Sequence, residues 1–138
     1  NNSIWSLYSA PLSNIKEIKR LNSVNPDPGA QNENAVVQVL GVWINQILTD
    51  VYGNVPYGES LEGSQNLTPV YDDSKHIYDS LVNNLDQAIG QLDSSVASFG
   101  TGELIYNGDV TLWKKLANSL KLRIGIRMEN KTLRTLER

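Results

Sequence analysis

The sequence predicts an all-α fold. Four segments place apolar residues at the i, i+3, i+4, i+7 spacing of a helix face, and no segment shows the two-residue alternation of a half-buried strand. Stretches rich in Pro, Gly, Asn and Ser separate the four. At 138 residues the chain suits one domain. It is long enough to bury a core without disulfides or metal.

The first helix is expected from about Ile4 to Leu21, where Ile4, Leu7, Tyr8, Ile15, Ile18 and Leu21 fall near one face. Pro11 interrupts it. Proline inside a helix removes a donor and clashes with the preceding turn, which predicts a kink or break near Ala10. "NSVNPDPGAQNEN", residues 22–34, reads as a loop. Its Asn and Asp oxygens are of the type that binds calcium, but their spacing does not fit a calcium loop and a third acidic ligand is missing.

The second helix is the clearest. Val36, Val39, Leu40, Trp43, Ile44, Ile47, Leu48 and Val51 keep the helical rhythm, and Val37 and Val42 widen the apolar surface. A helix apolar on more than one face is covered on more than one side. Because Val37 and Val42 point off the main stripe, they are also expected to leave apolar surface open on this chain taken alone, and hence to drive self-association. Gly53 is placed to end the helix with a left-handed cap, and Pro56 prevents resumption.

Residues 58–72 read as irregular chain. The third helix restarts at Asp72 to Ser74, whose side-chain oxygens suit free amides, and carries Ile77, Leu81, Leu85, Ala88, Ile89 and Leu92 on one stripe. "DSSVASFGTGE" ends it. The fourth helix opens with Asp109 as N-cap, and Val110, Trp113, Leu116, Ala117, Leu120, Ile124 and Met128 form its core face. Lys114, Lys115, Lys121, Arg123 and Arg127 lie mostly off that face and read as solvated. The final "ENKTLRTLER" reads as the start of another helix. Successive starts of the last three helices lie roughly 35 to 40 residues apart, near a tetratricopeptide period, but with one recognisable helix per period where two are needed.

Composition narrows the function. A net charge of −3 gives no electrostatic footprint for nucleic acid or anionic lipid. The absence of cysteine removes thiol nucleophiles, cysteine zinc sites and disulfides, and a single His76 argues against a Ser-His-Asp triad or a histidine-rich metal site. No apolar run reaches the ~18 residues that span a bilayer. The chain opens "NNSIWSLY" without Met, and is read as residues 1–138 of a longer protein, a single helical portion whose missing export signal carries little weight.

Acid/base catalysis needs a positioned pair of groups in a pocket, and none is indicated. Asp72 and Asp73 are adjacent and diverge on a helix, so capping explains them better. Glu59 and Glu62 follow Tyr57 with nothing to fix their separation. His76 at a helix start reads as a surface or interface side chain. "NLT" at Asn66 and "NKT" at Asn130 match glycosylation sequons, which recur by chance.

The aromatic set is more informative: three Trp and six Tyr against one Phe. Such rings stack on sugars while their polar tips hydrogen-bond. Trp43 and Trp113 fall on core faces, and Trp5 and Tyr8 also fit a core stripe. Tyr52, Tyr57, Tyr71 and Tyr106 sit at helix ends or loops, where a ring seals the core edge or faces a ligand.

Three motifs in order resemble one family. "QILTDVYGNVPYGES" is similar to the helix end and loop of SusD/RagB-like proteins, through Tyr52, Gly53, Asn54, Val55, Pro56 and Tyr57. "IYDSLVNNLDQAIGQL" resembles a later family helix through Tyr78, Leu81, Leu85, Asp86 and Ala88. "GDVTLWKKLANSLKLRIGIRM" resembles the next, through Trp113, Lys114, Ala117, Asn118, Leu120, Leu122 and Arg123. The subgroup is the one named for starch-binding proteins associating with the outer membrane. Pro11 and the tail after Met128 depart from the pattern, and family members usually have several hundred residues.

The resemblance implies tetratricopeptide-like packed helices of the SusD-like fold, present here in part. It implies a surface lipoprotein of glycan-using Gram-negative bacteria, anchored to the outer membrane through a cysteine that this chain does not contain. Such proteins capture oligosaccharides or other nutrients for a SusC-like TonB-dependent transporter, without a cofactor and without transforming the ligand. Trp5, Tyr8, Tyr57 and Tyr71 are then the candidate ligand contacts. The alternative is a helical protein-interaction scaffold with no small ligand, and an all-α carbohydrate-active enzyme is a more distant third.

Overall fold

The computed structural model describes residues 2–57 and 70–136, with the side chains of 2–5, 7, 8 and 135 also outside the description. The described residues form α1 (Asn2–Val24), α2 (Ala30–Tyr52), β1 (Val55–Pro56), β2 (Tyr71–Asp72), α3 (Ser74–Gln91) and α4 (Val110–Leu136). The fold is all-α apart from the minimal β1–β2 ladder.

α2 is the central element. One face, with Val37, Ile44 and Leu48, packs against Leu12 and Ile15 of α1. The other, with Ala35, Val36, Val39 and Val42, joins Ile77, Leu81 and Leu85 of α3 and Trp113, Ala117, Leu120 and Ile124 of α4. This is why its apolar surface is so wide. Val37 and Val42 are 4% and 2% exposed, so the two residues expected to leave surface open are covered within this chain, one by α1 and one by the main core. By length and composition α2 could also cross a membrane, although its sequence is broken by Asn45, Gln46 and Asp50. Burial between α1 and the α3–α4 pair accounts for that apolarity.

The expected break at Pro11 does not occur, because α1 is one helix from Asn2 to Val24. An interior proline costs about 3 kcal/mol or more. Burying Leu12 and Ile15 against α2, at about 1.5–3 kcal/mol each, is enough to offset it. The face drifts at its end, where Leu21 is 46% exposed.

The 22–34 loop is also shorter than its composition implies. α1 continues to Val24 and α2 begins at Ala30, leaving 25–29 as the turn. Asp27 Oδ1 accepts the Gly29 N–H at 2.7 Å. The polar residues beyond are helical because they tie α2 to α3. Gln31 Nε2 donates to the Gln91 carbonyl at 2.8 Å, and Gln38 Nε2 to the Asn84 carbonyl at 2.6 Å. At the other end, "ENKTLRTLER" starts no new helix, since α4 runs unbroken to Leu136.

The two expected aspartate N-caps are present, and Gly53 ends α2 as expected but not in the left-handed helical conformation. Gly53 ends α2 with φ 76° and donates its N–H to the Thr49 carbonyl at 2.9 Å; its ψ of −108° departs from a left-handed helical turn. Asp73 Oδ2 accepts the Lys75 N–H at 3.2 Å, and Asp109 Oδ1 accepts the Thr111 N–H at 2.9 Å. Each satisfies a donor that the helix start leaves open.

The connection from α3 to α4 is built on Glu103. Its carboxylate accepts the Trp113 indole N–H at 2.8 Å and the backbone N–H groups of Ile105, Tyr106 and Gly108. Tyr106 stacks edge-on to Trp113, with ring centroids 5.3 Å apart. Trp113 is 1% exposed and Trp43 is half-buried against the same cluster, as their spacing predicts.

Candidate functional site

The α2–α3 corner carries two of the four candidate ligand contacts. Val55 pairs with Asp72 and Pro56 with Tyr71 in an antiparallel ladder. Three short polar side chains fix it. Asn54 Oδ1 accepts the Ser74 N–H at 3.1 Å, Asp72 Oδ2 accepts the Tyr57 N–H at 3.0 Å, and Asp73 caps α3. The two aspartates therefore serve the backbone, in keeping with their adjacency.

Tyr57 is half-buried, with its ring against the main core, and its hydroxyl accepts from Asn84 Nδ2 at 2.6 Å. Burial pushes its phenol above the ordinary value; the Asn84 bond opposes this and the Asp72 charge adds to it. Tyr71 is 62% exposed. It pairs across the ladder with Pro56, so the two tyrosines are staggered, one sealing the corner and the other presented to solvent. The backbone positions of Trp5 and Tyr8 lie in the first turns of α1, but their side chains lie outside the described residues. Glu59, Glu62 and Asn66 also fall outside them, and His76 is exposed at the start of α3.

A second site was not legible in the sequence. The end of α2, the start of α3 and the last turns of α4 border an open-sided cavity of about 350 Å³ lined by Thr49, Asp50, Tyr78, Arg127, Lys131 and Arg134, among others. Tyr78 is 3% exposed and donates its hydroxyl to Asp50 Oδ1 at 2.5 Å. Burial first, then the Asp50 contact, pushes its phenol far above the usual range. It stays protonated and serves as a donor. Arg127 sits 3.4 Å from Asp50 Oδ2. Lys131 Nζ donates to Ser74 Oγ at 2.7 Å and lies 5.4 Å from the Tyr78 ring centroid.

The sequence held one usable signal for this site. Residues 127, 131 and 134 follow i, i+4, i+7, which aligns three cations on one side of α4. The solvated-face reading holds for Lys114, Lys115, Arg123 and Arg127, which are exposed, and Lys131 and Arg134 carry the same run of exposed bases to the cavity. The convergence of Asp50 and Tyr78 depends on packing between helices and has no local pattern.

A sequence profile of the SusD-like family, described as starch-binding associating with outer membrane, matches residues 1–136. A SusD homologue of Bacteroides uniformis is 30% identical over 89% of this chain and 25% of its own, with a TM-score of 0.77. A chitin-binding SusD homologue of Flavobacterium johnsoniae is 26% identical over 92% of this chain and 27% of its own, with a TM-score of 0.78. A SusD homologue of Parabacteroides distasonis is 31% identical over 92% of this chain and 25% of its own, with a TM-score of 0.70. The chain spans about a quarter of the length of these solved relatives. A comparison with curated protein sequences finds no match. With a family profile matching almost from end to end and the described helices arranged as in solved homologues, the chain belongs to the SusD-like family.

Proposed function

We propose that this chain is one helical portion, residues 1–138, of a surface receptor that captures oligosaccharides or other nutrients and passes them to a SusC-like TonB-dependent outer-membrane transporter. The observation that carries this reading is the profile match over residues 1–136. The likeness to a chitin-binding homologue adds the glycan class in general terms. The receptor binds and releases without bond chemistry, and a lipid on a cysteine outside this sequence anchors it to the outer membrane.

Trp5, Tyr8, Tyr57 and Tyr71 are the proposed ligand contacts. Tyr71 fits that role best by exposure, while Tyr57 joins stacking to its work at the corner. Glycan-array screening and calorimetry on the whole receptor test the reading. Saturable binding of one oligosaccharide class, no hydrolysis products, and weaker binding by Tyr71→Ala and Trp5→Ala are expected. Hydrolysis products would overturn the non-catalytic role.

One observation favours a second reading, a scaffold with no small ligand. The outer side of α4 exposes Leu122, Ile126, Leu133 and Leu136, a surface suited to docking another element. Transporter association retained without any saccharide binding would favour it.

A further inference from the structure

We propose that the cavity between the end of α2 and the last turns of α4 is a binding site for a sugar acid, with Arg134 and Lys131 receiving its carboxylate. The protein carries a net charge of −3, yet α4 holds seven basic residues against one acid, Glu129. Three of the seven, Arg127, Lys131 and Arg134, line this cavity, against the single carboxylate of Asp50.

That carboxylate is already engaged, by the Tyr78 hydroxyl on one oxygen and Arg127 on the other. Arg134 makes no ion pair among the described residues, although it lines the cavity. A guanidinium is a planar fork of donors matched to a carboxylate, and it binds one more strongly than a neutral acceptor. The end of α2 lowers the positive potential, because helix carbonyls gather there, but only by about half a charge. The site remains net cationic.

The remaining lining suits hydroxyls. Asn130 presents an exposed amide, and the Asp50 carboxylate keeps lone pairs beyond those used by Tyr78 and Arg127, whereas Thr49 is buried and donates its hydroxyl to the Asn45 carbonyl at 2.8 Å. A volume of about 350 Å³ lies at the small end of ligand pockets and has room for a single sugar residue. Buried Tyr78, hydrogen-bonded to the part-buried Asp50, gives the site a fixed floor. A concave, polar, cationic cavity with a rigid base thus fits a hydroxylated carboxylate. The sugar part rests on the glycan-binding reading above; the anionic part does not.

Amide NMR titration of the 138-residue chain at low ionic strength, with glucuronate, glucose, acetate and a short polyglutamate peptide as probes, tests the site. Saturable shifts at Thr49, Gly53 and Asn130 with glucuronate are expected, and at least tenfold weaker binding of glucose and acetate. Arg134→Gln should weaken glucuronate binding about tenfold, the loss expected for one charge-assisted contact, with helical circular dichroism unchanged because Arg134 is exposed. Arg134→Lys should retain part of it.

Equal binding of acetate would reduce the site to bare anion capture, and equal binding of glucose would remove its charge selectivity; either overturns the proposal. Tighter binding of polyglutamate would reassign the cavity to an acidic protein segment. No saturable shifts with glucuronate would overturn it outright, and leave glycan capture by the whole receptor to be judged by its own array screen.

Discussion

Asn32 and Asp93, 61 residues apart, exchange hydrogen bonds: the Asn32 amide donates to the Asp93 carbonyl and accepts the Asp93 N–H, both at 2.8 Å. The same amide nitrogen reaches the carbonyls of Val96 and Ala97 at 3.0 Å each. A primary amide has two hydrogens, so three acceptors share them. Asn32 is fully buried, and one side chain therefore holds the first turn of α2 against the chain leaving α3.

Asn32→Ala would leave the Asp93 N–H and three carbonyls without this partner. Each buried group left unsatisfied costs about 1–3 kcal/mol, and partial rehydration of the loop recovers some, so a net loss of about 2–4 kcal/mol is expected. Asn32→Asp should be at least as harmful, since it replaces the donors with a buried charge. Urea unfolding followed by circular dichroism measures both. A loss below about 0.5 kcal/mol, the scale of ordinary surface substitutions, would deny Asn32 this role.

Glu103 sets a pH dependence. Burial raises its pKa, but the Trp113 indole and the backbone N–H groups of Gly108, Ile105 and Tyr106 outweigh that and hold it below its ordinary 4.5. A carboxyl depressed in the folded state contributes stability that is complete above the unfolded pKa and fades as pH falls through the folded one. Glu103→Gln should therefore be less stable than the parent at pH 7, and the gap should narrow below about pH 4.5. The amide also turns its own N–H groups toward donors. Denaturant midpoints from pH 7 to 3 check this, and a gap that widens on acidification would reverse the argument.

The loop between α3 and α4 has two positive-φ glycines, Gly100 and Gly108, and of the two only Gly108 also lacks room for a Cβ. Gly108 has φ 78°, and a Cβ there would lie 2.6 Å from the Gly100 carbonyl oxygen, closer than real contacts permit. Gly102 has open space around an added Cβ. Gly108→Ala should cost about 1–3 kcal/mol from the backbone conformation alone, with the clash in addition. Gly102→Ala should be close to neutral. Comparable melting temperatures for the two variants would remove the distinction.

The helices and their core stripes were legible because apolar spacing is a local signal. Val36, Val39 and Leu48 on α2, Leu81 and Leu85 on α3, and Trp113 and Ile124 on α4 all lie where that spacing puts them. The start of α2 was not legible. Gln31 and Asn32 look like loop residues until the partners they reach on α3 and beyond are known. Glu103 was hidden in a Ser- and Gly-rich stretch for the same reason, since its value lies in donors that only the folded turn assembles. Motif resemblance identified the α2–α3 corner, and Tyr57 proves to be tied into it by Asn84. The Asp50–Tyr78–Arg127 arrangement draws on three helices, so no single stretch announces it.

Self-association, first expected from Val37 and Val42, has a better basis on α4. Leu122, Ile126, Leu133 and Leu136 are 67%, 50%, 51% and 78% exposed along its outer side. Burying such side chains against a second copy would contribute about 1.5–3 kcal/mol for each one fully covered. The basic residues on the same helix oppose close approach of two copies, and salt screens that repulsion, with a screening length of about 10 Å at 0.1 M and 3 Å at 1 M. The chain should therefore associate more as salt rises, the reverse of an ion-pair interface. Light scattering across salt and protein concentration measures it, and Ile126→Lys with Leu133→Lys should return the monomer. A monodisperse monomer under all these conditions would show that the exposed face does not bind itself, and association that weakens with salt would place the contact elsewhere.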